Sequence, residues 1–176
     1  MDSIKKLWDY IKSQGGKVII TVDCGISAHP EIEYANSLGL EIIVTDHHEI
    51  NNGNPPAYAV INPKREDNQF PFKYMAGVGT AFMLIYALFD KLEKKEELYK
   101  YLDIVAIGTV ADIVPLLEEN RIFTKFGMEQ LNKSHWLGIS MLIKKIFEDY
   151  KTKKFNTYDI GFIIAPIFNA AGRLED

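Results

Sequence analysis

Residues 18–48 read VIITVDCGISAHPEIEYANSLGLEIIVTDHH, and their reading decides the fold. Two β-branched runs, Val18-Ile19-Ile20-Thr21-Val22 and Ile42-Ile43-Val44-Thr45, each end on chemistry-bearing groups. Asp23-Cys24-Gly25 follows the first and Asp46-His47-His48 the second. Short unbroken apolar runs of this kind predict fully buried strands. Between them Pro30 suits the first turn of a helix, Ile32, Ala35 and Leu38 supply an apolar stripe, and Gly39 supplies a stop. Strand, crossover helix and strand make a parallel pair. Asp23 and His47 are therefore expected at one carboxyl edge, where open α/β sheets bind ligands. Carboxylate and imidazole converging there suit Mn²⁺, Mg²⁺ or Zn²⁺.

Upstream, residues 7–14 read as the end of a helix stopped by Gly15-Gly16. Downstream, residues 51–56 are turn-rich, and Tyr58 to Ile61 predicts a third short strand. The rest reads as helices over 78–92, 96–111, 120–131 (with Asn120 as cap) and 137–150. A solvated basic turn follows at 151–154, then a short helix or turn over 158–164 stopped by Pro166. The expected class is α/β: a parallel sheet with flanking helices, its strands crowded into the first third. A strand beside the first run, completing the switch point, is missing.

Composition narrows the function. The chain has 176 residues, 47% hydrophobic and 25% charged, as in ordinary globular proteins. A net charge of −4 argues against a broad basic footprint for nucleic acid, though not against metal ions neutralising a phosphate locally. The single Cys24 excludes an intrachain disulfide and fits a reducing cytoplasm. No signal peptide and no apolar run of about 20 residues is present, so no membrane association is expected.

Further motifs have two readings each. Asp23 is either a turn-capping aspartate or a ligand. Gly108-Thr109-Val110-Ala111-Asp112 places another carboxylate after an apolar run, either a cap or a third member beside Asp23 and His47. Gly77-Val78-Gly79 is either a tight turn or a helix amino terminus offering N–H groups to phosphate. Asn169-Ala170-Ala171-Gly172-Arg173 carries either a surface arginine or a bidentate phosphate clamp. His29 and His135 are expected to be exposed, Trp8 and Trp136 to serve packing, and Cys24 to be a small buried residue. No Walker loop, dinucleotide fingerprint or zinc-finger spacing occurs.

Six ordered blocks resemble the DHH phosphoesterase superfamily, and within it the RecJ single-strand-specific exonucleases. They are Val22 to Ser27, Val44 to Glu49, Val60-Ile61-Asn62-Pro63-Lys64-Arg65, Ala76-Gly77-Val78-Gly79, Gly108 to Asp112, and Asn169 to Arg173. The resemblance spans nearly the whole chain and implies two divalent cations, Mn²⁺ or Mg²⁺, with Asp23 bridging and His47 and Asp112 completing one metal's shell. It implies His48 on the scissile phosphate, Asp46 orienting its neighbours, and Arg173 with Asn169 holding a substrate phosphate. Asp23, His47, His48 and Asp112 would then be the catalytic set, releasing nucleotides from single-stranded DNA in the 5′ to 3′ direction.

The chain departs from the family pattern in two places. The family's first motif, Asp-x-Asp on a strand before the Asp23 block, is not found, since Asp2 and Asp9 lie in a different context. The family's second, glycine-rich DHHA1-type domain is not found either. Residues 1–176 are thus expected to be one partial DHH domain, an interior piece of a longer enzyme lacking amino- and carboxyl-terminal segments, and inactive or nearly so alone. Two alternatives stay open: a phosphoesterase for short oligonucleotides, cyclic dinucleotides or pyrophosphate, and a non-catalytic binding module.

Overall fold

The computed structural model describes residues 2–171. It divides into two compact units, residues 1–81 and 82–176, with the boundary inside one helix. Among the described residues no helix is long and apolar enough to cross a membrane.

The first unit holds α1 (Asp2–Ser13), β1 (Val18–Val22), α2 (His29–Ser37), β2 (Glu41–Thr45) and β3 (Ala59–Ile61). The strands form one parallel sheet in the order β1-β2-β3. Val18 pairs with Glu41 and Val22 with Thr45; Ile43 pairs with Ala59 and Thr45 with Ile61. The strand–helix–strand expectation therefore holds, with Pro30 in the first turn of α2 and Gly39 leaving it at φ 68°. Trp8 from α1, Ile32 and Ala35 from α2, and Ile42, Val44 and Val60 from the sheet form the core.

β1 corrects the expectation of two buried strands. Val18, Ile20 and Val22 are each about half exposed, whereas Ile42 and Val44 are wholly buried. β2 lies between two strands and β1 at the described sheet's edge. β-branched character specifies the pleated backbone, but neighbours decide what is covered.

α3 (Gly77–Lys91) crosses the unit boundary. The second unit continues with a 3₁₀ helix (Lys95–Tyr101), α4 (Leu102–Ala111), α5 (Glu118–Leu131) and α6 (Leu137–Ile146), then a π-helical segment (Asp159–Ile164) and α7 (Ala165–Ala171). α4 and α5 pack closely because position 127 is glycine: a Cβ there would overlap the Leu102 carbonyl and the Ala106 methyl. Ala106, Leu131, Ile143, Phe147, Phe155, Ile160 and Ile164 build this unit's core.

Several helix boundaries differ from the sequence reading. The single helix expected over 96–111 is two elements. Asn120 does not cap α5 but lies buried inside it, its amide donating to the Pro115 carbonyl at 2.9 Å. α6 ends at Ile146, not at 150. Pro166 lies in the first turn of α7, after Ala165, instead of stopping a helix. In a regular helix its ring would meet the carbonyl of Phe162, and the wider π segment before it accommodates that. The basic turn is not wholly solvated: Lys153 pairs with buried Asp159 at 3.1 Å and lies over the Phe147 ring.

Candidate metal centre

All three strands of the first unit run into polar residues at the carboxyl edge: Asp23 after β1, Asp46 after β2 and Asn62 after β3. The ladder carries the strands to that edge in register. The Asp23 N–H donates to the Thr45 carbonyl at 2.9 Å, the Asp46 N–H to the Ile61 carbonyl at 3.0 Å, and the Thr45 hydroxyl to the Thr21 carbonyl at 2.7 Å.

Beyond β1 the chain turns sharply. Asp23 has φ 62° and Gly25 φ 112°. Aspartate is among the few side chains that enter the left-handed region readily, and glycine is at ease in both. At position 25 a Cβ would also press on the Thr21 hydroxyl at 2.9 Å and on Val44 at 3.2 Å. The turn leaves the Asp23 carboxylate half exposed, with Oδ1 3.1 Å from His47 Nε2. Its other face is set by α3, whose first residue Gly77 backs directly onto it; a Cβ there would overlap the carboxylate.

Asp46 organises the second exit. It is 1% exposed, and its two oxygens accept four hydrogen bonds. Oδ2 takes the Ile26 N–H at 2.9 Å. Oδ1 takes the N–H groups of His47 at 2.7 Å and His48 at 3.2 Å, and the ring Nδ1 of His48 at 2.7 Å. Burial alone would raise its pKa, but these donors outweigh burial and hold it below the usual aspartate range. An ionised carboxylate only accepts, so His48 Nδ1 carries the proton, which leaves Nε2 as the lone-pair nitrogen of the neutral ring. The two histidine rings stand 4.5 Å apart.

One oxygen of Asp23 and one nitrogen each of His47 and His48 lie within 4.8 Å of one another. Two ligands about 2.1 Å from an octahedral ion and at right angles lie about 3 Å apart, close to the Asp23–His47 separation. One carboxylate and two imidazoles fit a divalent cation of the Mn²⁺ or Zn²⁺ kind.

The structure places the other sequence-derived candidates as follows. Gly77 and Gly79 are buried in the first turn of α3. Asp112 caps the end of α4, its N–H donating to the Gly108 carbonyl at 3.0 Å and its side chain exposed, and the following Ile113 has φ 57°. Asn169 is exposed on α7, and Arg173 lies outside the described residues. Cys24 is exposed, not buried as expected. Burial of its neighbourhood and the carboxylates of Asp46 and Asp23 push its thiol pKa up, against a nucleophilic role. His29 is half-buried instead of exposed, while His135 is exposed and Trp8 buried as expected.

A family model described as "DHH family, N-terminal domain" matches residues 3–109. The single-stranded-DNA-specific exonuclease RecJ of Bacillus subtilis (strain 168) is 45% identical over 165 residues, covering 94% of this chain and 20% of that protein. RecJ of Escherichia coli (strain K12) is 42% identical over 179 residues, covering 96% of this chain and 31% of that protein. Among solved structures, RecJ from Thermus thermophilus in complex with Mn²⁺ matches with a TM-score of 0.82 at 32% identity, over 97% of this chain and 25% of that one. An exonuclease RecJ bound to manganese matches with a TM-score of 0.83 at 32% identity, over the whole of this chain and 42% of that one. The chain thus spans less than half the length of each of these relatives.

Proposed function

This chain belongs to the DHH family, and from that premise we propose that it carries part of the catalytic centre of a metal-dependent exonuclease acting on single-stranded DNA from the 5′ end. The observation that carries the reading is the convergence of Asp23, His47 and His48 at the carboxyl edge of a parallel sheet. The relatives named for single-stranded-DNA exonuclease activity, and the RecJ structures holding Mn²⁺ or Mg²⁺, support it.

In this reading Asp23 and His47 hold a divalent cation, Mn²⁺ or Mg²⁺, and Asp112 is a further ligand. His48 faces the scissile phosphate with Nε2, its ring angle fixed by Asp46. Asn169, Arg173 and the amino terminus of α3 at Gly77 and Gly79 serve substrate phosphates. When bound, such a cation would supply Lewis-acid charge and ease the loss of a proton from the attacking water. The relatives extend well beyond the matched region. Groups from such segments are proposed to complete a two-metal centre, so that the chain alone binds Mn²⁺ with little turnover.

The test is Mn²⁺-dependent degradation of 5′-labelled single-stranded DNA, with Asp112→Ala as control. Mn²⁺ binding without turnover is the expected result. Degradation abolished by Asp112→Ala would mean a self-sufficient centre and would overturn the incompleteness. Preferred hydrolysis of a cyclic dinucleotide or pyrophosphate would replace DNA as the substrate.

A further inference from the structure

Asn62 closes the third strand exit and has no part in the chemistry described so far. It is 3% exposed, and both ends of its amide are used. Nδ2 donates to the His48 carbonyl at 3.0 Å, and Oδ1 accepts the Lys64 N–H at 2.9 Å. A carbonyl on one side and an N–H on the other leave only one orientation for the amide.

We infer that Asn62 is a positioning residue for His48, acting through the His48 backbone. Asp46 holds His48 by its N–H and its ring Nδ1, both groups on the amino side of the residue or on its side chain. Neither contact restrains the peptide plane that follows His48, where the chain enters the turn-rich loop at 51–56. Asn62 restrains that plane and ties it to the end of β3, so the imidazole is held from two strands instead of one. A side chain that is 60% exposed depends on such anchoring to keep one ring position.

The inference rests on His48 belonging to the proposed centre, and its test reads ring position and metal affinity separately from turnover. Asn62→Asp keeps the volume and the acceptor for Lys64 but removes the donor to His48. In the metal-free chain labelled at histidine, the His48 imidazole resonances are expected to move, while those of His29 and His135 stay in place. Mn²⁺ affinity by calorimetry is expected to change by less than about twofold, because Asp23 and His47, not His48, hold the ion in the proposed reading. Unchanged His48 resonances in a folded variant would overturn the inference, whatever the DNA assay shows. If Asn62→Asp does not fold, Asn62→Ser is read in the same way. Loss of the cooperative melt in both would also overturn it, since Asn62 would then be a general support of the loop. Absence of DNA turnover with moved resonances would leave the inference standing and sink only the exonuclease reading.

Discussion

β1 and β2 are neighbours of equal length, both β-branched and both ending at the candidate centre, yet they do different work. β2 is wholly buried at Ile42 and Val44 and delivers Asp46, a carboxylate saturated with hydrogen bonds. β1 is half open to solvent and delivers Asp23, a half-exposed carboxylate on a left-handed residue. The buried strand carries the framework of the site and the open strand carries the proposed metal ligand. Stability and chemistry are thus divided between two adjacent strands, and substitutions should separate them.

The largest expected contrast is in the strands themselves. Ile42→Ala should cost about 3–4 kcal/mol in urea unfolding, as removal of fully buried methylenes does, and Ile20→Ala about 1 kcal/mol or less. Equal losses would break the distinction between the strands. Next is Asp46→Ala, which strands the N–H groups of Ile26, His47 and His48 and should cost about 3 kcal/mol. A loss no greater than that of Asp23→Ala, measured in the same way, would mean that Asp46 is not the framework residue. Gly77→Ala should cost about 1–3 kcal/mol, because the added methyl and the Asp23 carboxylate cannot share one position, and Mn²⁺ affinity should fall with it. The smallest effect is Asp23→Gly. Glycine and aspartate both accept the left-handed conformation, so stability in EDTA should change by about 0.5 kcal/mol or less, while Mn²⁺ binding at the centre is lost. Thermal melts with and without Mn²⁺ check it.

Much of the first unit was legible in residues 18–48. β-branched runs, a proline at a helix start and a glycine at its end specify strand, helix and strand, and parallel pairing follows from the crossover. The same logic brought Asp23 and His47 to one edge. Three things were not legible. Burial of β1 depends on what lies beside it, which no property of Val18 or Ile20 encodes. The role of Gly77 depends on the Asp23 carboxylate, 54 residues away in sequence and adjacent in space. Asn62 carried the same signal as Asp23 and Asp46, a polar residue directly after an apolar strand, but its tie to the His48 backbone is a contact between two strand exits that only the fold supplies. In the second unit the helices were legible and their ends were not. Asn120 looks like a cap by residue type but lies inside α5, and Pro166 looks like a stop but lies in the first turn of α7.

The 62° dihedral at Asp23 has a genetic consequence. Three amino acids settle in that conformation with little strain: glycine, asparagine and aspartate. The aspartate codons are one transition from asparagine codons and one from glycine codons. Either mutation keeps the backbone and discards the carboxylate proposed to hold the cation. Alleles damaged here should therefore yield protein that accumulates normally, escapes quality control and is inert, so an expression screen would pass them and only a metal-binding or activity screen would find them.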